Sequence, residues 1–179
     1  ACPAASDGAR YHLMGEEEIW ADSMAMGPHV LMYAGHLDAG VDYYHAIRKR
    51  LLDPETGLYR HKWSESEQKF TRGLFWGVGN GWAAAGMIRV RAMLPAGYEA
   101  QKRLLEDRIR TLLTNAFRHQ RADGAFHDVL DDPTSFREIN CGQMFAYTVY
   151  RGIREGWLEE TFLHMAEKAR EAALAAVDP

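Results

Sequence analysis

Apolar residues recur every three or four positions along most of this chain, which is the spacing of one face of an α-helix. Almost no segment alternates apolar and polar residues, so the pattern predicts an all-α protein. Glycine, proline and short polar stretches predict loops at residues 1–15, 54–75 and 120–136. The predicted helices are about Glu17–Met26, Ala39–Leu52, Asn80–Met93, Tyr98–His119, Arg137–Glu155 and Glu160–Val177, with Gly27-Pro28 interrupting the first and apolar residues resuming to about Leu37.

The first predicted helix, within EEEIWADSMAMGP at residues 16–28, is apolar at nearly every position from Ile19 to Met26, as in a buried helix. Asp22 interrupts this apolar run. Burial raises the pKa of a carboxylic acid, and an acid with a raised pKa can donate a proton near neutral pH. Asp22 is therefore a candidate general acid. The alternative is an aspartate that hydrogen-bonds a neighbouring loop and stabilises the fold.

Three loops share a pattern of glycine, aromatic residue and histidine: DGARYH at 7–12, TGLYRH at 56–61 and DGAFH at 123–127. Each is followed by an apolar helix and then by a more polar one. Helical hairpins repeated in this way stack into a solenoid or close into an α/α toroid. The repeat predicts a shared cleft on one rim, although a local turn role is open for each histidine; the rim residues are Tyr11, His12, Tyr59, His61, Phe126 and His127.

Composition narrows the class of protein further. The 179 residues are 47% hydrophobic, enough for one domain over residues 1–179 with a sizeable core. The net charge of -4 and the absence of a lysine or arginine run give no sign of a nucleic-acid partner. No segment has the length of a membrane span and no signal-peptide pattern opens the chain, so no membrane partner is expected. The sequence does not decide the compartment: a cytoplasmic protein is favoured over a secreted one. It also does not decide whether Cys2 and Cys141 form a disulfide bridge.

Four motifs in order along the chain resemble those of glycoside hydrolase families 105 and 88, the unsaturated rhamnogalacturonyl and unsaturated glucuronyl hydrolases. One motif alone would be weak, but four in order are specific. They are IWADSMAM at 19–26 (the family's W-x-D-x-hydrophobic-M), TGLYRH at 56–61, FWGVGNGW at 75–82 and HQRADGAFHDV at 119–129 with Arg137-Glu138 and the MFAY of residues 144–147.

The resemblance implies an (α/α)6 toroid that hydrates a 4,5-unsaturated uronic acid at the non-reducing end of an oligosaccharide derived from pectin or glucuronan. In that chemistry an aspartate protonates carbon 4 of the vinyl ether and water adds at carbon 5, and no cofactor or metal is needed. Asp22 matches the general acid/base and His61 matches a rim histidine that helps to hold the substrate, so both are assigned to catalysis. The substrate-binding residues implied are Trp20, Trp63, Trp76, Asn80, Trp82, Tyr11, His12, Arg72 and Glu138.

Two departures from the family pattern stand out. Val78 lies where the family has an arginine that suits a substrate carboxylate, which leaves Arg60 or Arg72 as other anion partners. The chain also holds only three or so of the six hairpins of a full ring. Such a half-ring would expose an apolar face, so either further residues or a second copy of the chain is expected to cover it.

Two other functions are consistent with the residues. The first is a non-catalytic carbohydrate-binding half-toroid, which the missing half and Val78 suggest. The second is a sugar isomerase or epimerase of similar fold, in which His61 and His127 transfer the proton. Product analysis separates all three functions. The hydrolase shortens the oligosaccharide, the isomerase or epimerase gives an isomerised product of the same chain length, and the binding module gives no product.

Overall fold

The computed structural model describes residues 3–177 and confirms the all-α class. Helices make up most of the described chain, and the strands between them are only two to four residues long. Short 3₁₀ turns at Phe117–His119 and Glu160–Phe162 adjoin two of the helices. The helices are α1 (Ser23–Tyr33), α2 (Leu37–Leu51), α3 (Gly77–Met93), α4 (Glu99–Ala116), α5 (Asn140–Arg154) and α6 (Leu163–Leu174).

The helices form three consecutive hairpins, as the repeated loops predict. Helix α3 packs between α1 and α5, and each of these three helices also packs against the helix that follows it in the chain. The first layer is therefore α1, α3 and α5, and the second is α2, α4 and α6. Helix α3 is buried along most of its length, because small residues such as Ala83, Ala84 and Gly86 let its neighbours approach.

The segment predicted as a helix from Glu17 begins instead as a strand, so that prediction is wrong. Strand β1 (Glu18–Trp20) pairs antiparallel with β2 (Lys62–Ser64), which pairs antiparallel with β3 (Lys69–Arg72). Residues 54–75, predicted as a loop, thus contain a β-hairpin. Strands this short are not visible as a sequence period, because pairing with a distant segment stabilises them.

Helix α1 is continuous through Pro28, although Gly27-Pro28 was expected to interrupt it. Pro28 lacks the N–H that would bond to the carbonyl of Met24, four residues earlier. The helix nevertheless persists because its buried side packs between α2 and α3. Pro28 itself is buried in that interface.

Helix α5 begins at Asn140, three residues later than the predicted start. Phe126–His127 (β4) and Arg137–Glu138 (β5) form a small antiparallel pair before it. Glu138 is 8% exposed and caps the helix: its two carboxylate oxygens accept the backbone N–H groups of Asn140 at 2.7 Å and Cys141 at 2.8 Å. Cys141 is buried, and the bridge to Cys2 that the sequence leaves open involves a residue outside the described ones. None of the described helices is both long and apolar enough to span a membrane.

Candidate active site

Strand pairing brings Asp22 beside His61. Trp20 pairs with Lys62 in the β1–β2 register, and the N–H of Ala21 donates to the carbonyl of His61 at 2.9 Å. Asp22, the next residue, precedes the first turn of α1. Its Oδ2 lies 3.3 Å from Nε2 of His61, and neither buried atom has another hydrogen-bond partner among the described residues. The sheet therefore builds a carboxylate–imidazole pair.

Arg72 determines which nitrogen of His61 carries the proton. Its Nη1 lies 2.9 Å from Nδ1 of His61. An arginine only donates hydrogen bonds, so Nδ1 is the acceptor in this contact. The proton of the neutral imidazole then resides on Nε2, which faces Asp22. Arg72 also approaches Asp128, with Nη2 3.8 Å from Oδ2.

Aromatic rings surround the pair, and we call Asp22, His12, Trp20, His61, Arg72 and Trp76 the Asp22 cluster. Trp76 lies at the start of α3, with its ring 4.4 Å from that of His61, and its indole N–H donates to Asp128 at 2.9 Å. His12 lies on the other side of the cluster, where Nδ1 is 3.0 Å from Oγ of Ser23. His61 is buried, and the other five residues of the cluster are half-buried.

Both faces of the Trp20 ring are occupied. The ring of His12 stacks on it at 4.2 Å and 12°. Nζ of Lys62 lies 3.3 Å from its centroid, and because the stacked imidazole fills one face, the ammonium covers the other. In this conformation a sugar ring therefore cannot stack on Trp20, and the predicted contact of Trp20 with the substrate would need another geometry. Trp20 instead holds His12 and Lys62 in place.

The pKa of Asp22 is lowered, not raised as the sequence suggested. Burial is the largest influence and by itself would raise the pKa of this carboxyl. The hydrogen bond from His61, together with the electrostatic influence of His61 and His12, outweighs burial and lowers the pKa below the ordinary aspartate value. Burial also lowers the pKa of His12, and Asp22 opposes that shift. The apolar run in the sequence showed the burial but not the two histidines.

Several predicted site residues lie elsewhere. Trp63 contacts Phe70 on the opposite side of β2 from Lys62, in a cavity of about 710 Å³ that contains no residue of the Asp22 cluster. Trp82 is half-buried on α3, and no ring contact with the cluster is found among residues 3–177. Tyr11 is nearer to the Asp22 cluster: together with His12 it lines a cavity of about 370 Å³. These three substrate contacts remain predictions.

Asn80 is fully buried, and its side-chain amide is engaged by backbone groups. Its Oδ1 accepts the N–H of Tyr59 at 2.8 Å, and its Nδ2 donates to the carbonyls of Tyr59 and Trp76, each at 2.9 Å. It therefore holds the loop that leads to His61 against the start of α3. Glu138 likewise caps α5. Both side chains are thus bonded to the backbone, and their substrate contacts stay predictions.

The repeated loops contribute unequally to the rim. His12 and His61 reach the cluster, but Tyr59 and Phe126 point into the core, with exposures of 2% and 0%. His127 has both ring nitrogens engaged: Nδ1 donates to the carbonyl of Ser135 at 3.0 Å, and Nε2 lies 3.0 Å from Arg121. The aromatic residues of the second and third repeats thus support the core and not the cleft.

Lys62 and Asp128 are neighbours of the cluster that sequence reasoning missed. Lys62 pairs across strands with Trp20 and Arg72. Asp128 accepts the indole N–H of Trp76. The three residues of β2 carry no readable period, so the sequence had no signal that could place Lys62 beside Trp20. Among the described residues, no group of three or more histidine, cysteine, aspartate or glutamate side chains is arranged to hold a metal ion.

Comparisons with known proteins define the class. The sequence profile of Glycosyl Hydrolase Family 88 matches residues 3–179. The chain is 30% identical over 131 residues to the unsaturated rhamnogalacturonyl hydrolase YesR of Bacillus subtilis strain 168, covering 69% of this chain and 38% of that protein. It is 26% identical over 187 residues to the unsaturated 3S-rhamnoglycuronyl hydrolase of Alteromonas sp. strain LOR, covering 96% of this chain and 45% of that protein.

The fold agrees with these sequence matches. A solved structure described as a possible member of the GH105 family from Salmonella enterica serovar Paratyphi A superposes with a TM-score of 0.91 at 24% identity. The match covers 99% of this chain and 50% of that structure. The three hairpins are thus about half of an (α/α)6 toroid. The chain belongs to glycosyl hydrolase family 88, which confirms the resemblance read from its motifs, and it spans half or less of the length of these relatives.

Proposed function

We propose that this chain carries the general acid/base of a hydrolase that acts on 4,5-unsaturated uronic acids at the ends of oligosaccharides. The observation that carries the proposal is the Asp22–His61 pair: the facing atoms are 3.3 Å apart and buried, and neither has another partner among the described residues. Membership of the family supports it, and so do the two named relatives, which are both hydrolases of unsaturated uronyl groups.

In the proposed reaction the carboxyl proton of Asp22 moves to carbon 4 of the sugar. The electron pair of the C4–C5 double bond forms the new C–H bond, and the ring oxygen stabilises the positive charge left on C5. Water bonds to C5 through its oxygen and gives a proton to the Asp22 carboxylate, which restores the acid. The resulting hemiketal opens and expels the rest of the oligosaccharide. One water is consumed, and no electron donor or acceptor is needed.

His61 and Arg72 position the acid. Because Arg72 donates to Nδ1 of His61, the Nε2 proton of His61 points at Asp22 and stabilises the carboxylate that forms when Asp22 has given up its proton. Entry of the substrate excludes water and brings its own carboxylate near Asp22. Both effects raise the pKa of Asp22 and restore the protonated form that the first step needs.

Lys62 and Arg72 are the proposed partners of the substrate carboxylate. They are cross-strand neighbours at the edge of the cluster, and Lys62 has no carboxylate within ion-pair distance among the described residues. Arg60, the other arginine considered from the sequence, is already paired with Asp53 at 2.5 Å. Val78 is uncharged, so a cation from the hairpin takes the place of an arginine at that position.

Turnover by Asp22→Asn tests the acid. The asparagine side chain has nearly the same shape but no carboxyl proton to donate, so the rate of loss of the unsaturated uronide absorbance should fall by roughly 10²- to 10⁴-fold. Asp38→Asn, at an exposed position on α2, is the matched control and should keep the wild-type rate. An unchanged rate in Asp22→Asn would refute the proposal.

The same assay separates binding from chemistry at Lys62. Lys62→Met removes the ammonium and keeps much of the stem, so KM should rise roughly tenfold while kcat changes little. Lys69→Met, an exposed lysine on the next strand, should change neither constant. A fall in kcat with KM unchanged would mean that Lys62 does not bind the substrate carboxylate.

A non-catalytic carbohydrate-binding role is the second candidate, favoured by the partial coverage of the relatives. It predicts saturable oligosaccharide binding by calorimetry without product, and any measured product removes it. An isomerase or epimerase gains no support from the geometry, because both ring nitrogens of His127 are already hydrogen-bonded.

We also propose that, in the functional protein, an exposed apolar face of α1 is covered by further residues or by a second copy of the chain.

A further inference from the structure

A cavity of about 250 Å³ lies between α2 and α4, in the second helix layer. No residue of the Asp22 cluster lines it. Two arginines do: Arg48 from α2 and Arg108 from α4. The buried ring of Tyr59 and the turn at Gly57 close one side of it.

The charges around this cavity are unbalanced. Arg48 is half-buried, and its side chain has no hydrogen bond or ion pair among residues 3–177. Arg108 places Nη2 2.8 Å from Nδ1 of His45, while its Nη1 is buried without a partner. The one carboxylate that lines the cavity, that of Asp107, is paired with Arg110 at 3.0 Å. Two cationic side chains thus share a small space without an acidic partner within ion-pair distance.

An unpaired arginine in such a place is costly. A buried N–H without an acceptor loses its hydration and gains nothing in return, and the penalty is larger for a charged group. Burial lowers the pKa of Arg108, and the nearby charge of Arg48 lowers it further. An anion between the two guanidinium groups would supply acceptors for both and remove their repulsion. Planar guanidinium groups bind oxyanions well because they donate two parallel hydrogen bonds.

We propose that this cavity is a binding site for a small oxyanion of the phosphate or sulfate class, held by Arg48 and Arg108. The site does not depend on the proposed hydrolase activity. It would stabilise the loop before His61, because Tyr59 contributes its ring to the cavity while its backbone N–H and carbonyl are both held by Asn80. An anion there would link α2, α4 and this loop.

Thermal unfolding in phosphate tests the site on the purified protein. Inorganic phosphate should raise Tm in a saturable way, by roughly 5–10 °C at about 100 times its Kd, relative to sodium chloride of the same ionic strength. Arg48→Gln should abolish this shift. The side chain of Arg48 has no hydrogen bond or ion pair to lose among the described residues, so the variant is expected to fold. Arg103→Gln changes an exposed arginine on α4, the helix that carries Arg108, and should respond to phosphate like the wild type.

Isothermal calorimetry at 25 °C gives a second measurement that does not require unfolding. Saturable phosphate binding at one site per chain in the wild type and in Arg103→Gln, lost in Arg48→Gln, supports the proposal. Equal responses of all three proteins would overturn it, because the anion would then bind elsewhere or only screen charge. The absence of any phosphate effect beyond that of sodium chloride would overturn it as well.

Discussion

Asp22 is held between opposing electrostatic influences. Burial favours the neutral acid, whereas His61 and His12 favour the carboxylate and prevail in the free protein. A proton donor with a lowered pKa is rarely protonated near neutral pH, so its activity depends on how much the substrate shifts the balance. His61 both positions this group and sets its acidity.

The pH dependence of kcat/KM measures that acidity in the free protein. Since the proposed first step needs protonated Asp22, kcat/KM should fall about tenfold per pH unit above the pKa of Asp22, which gives an acidic optimum. His61→Gln removes the imidazole, whose hydrogen bond and electrostatic influence lower this pKa. The falling limb should therefore move to higher pH, whatever the loss in rate.

His164→Gln is the control, because His164 is exposed on α6 and no hydrogen bond or ion pair links it to the Asp22 cluster within residues 3–177. Its pH profile should match that of the wild type. If kcat/KM of His61→Gln falls over the same pH range as that of the wild type, another group supplies the proton.

Residue types and motif order predicted Asp22, His61, Arg72 and Trp76, which the structure brings together. The functions of Asn80 and Glu138 could not be predicted in the same way. Each uses its polar atoms on backbone groups that are close only in the folded chain. A sequence shows that a polar residue interrupts an apolar segment, but not whether its partner is a ligand or the main chain.

At the scale of elements, amphipathic helices were predicted best. Helix α4 was expected over Tyr98–His119 and extends over Glu99–Ala116 with a 3₁₀ turn after it, because a period sustained over several turns is a strong signal. Strand β1 was predicted as a helix, since three residues carry no readable period and the pairing partner is distant. This missed strand places Asp22 beside His61.

Close contact between α1 and α3 makes Gly86 a sensitive position. A Cβ added there would lie 2.5 Å from the carbonyl oxygen of Met24, a backbone atom that cannot move without shifting the helix. Gly86→Ala should therefore lower the free energy of unfolding by about 1–3 kcal/mol in urea denaturation.

Gly40→Ala is the matched control within α2. A Cβ there would lie 2.6 Å from Sδ of Met32, which is the flexible end of a side chain. The side chain can turn aside, and alanine favours a helix by about 1 kcal/mol over glycine, so the variant should be near neutral. Equal losses in both variants would show that backbone contact is not what makes Gly86 sensitive.

At the scale of the whole molecule, the toroid explains why apolar side chains remain in contact with solvent. Helix α1 is at one end of the row formed by α1, α3 and α5, so within residues 3–177 only α3 flanks it in that layer. Its exposed stripe consists of Met26, Val30 and Tyr33, at 55%, 70% and 83% exposure. Residues at this spacing share one face of a helix. In a closed ring such a face would contact a further helix.

We expect the 179-residue chain to associate through this stripe when it is studied alone, because contiguous exposed apolar residues favour contact with another surface. Its sedimentation should depend on concentration, and Val30→Lys should shift it toward the monomer without changing Tm. Ala39→Lys, at an exposed position on α2, should leave the association unchanged. A wild-type chain that stays monomeric at every concentration would mean that the exposed stripe does not drive association. Equal effects of the two lysine substitutions would mean that added charge alone opposes association.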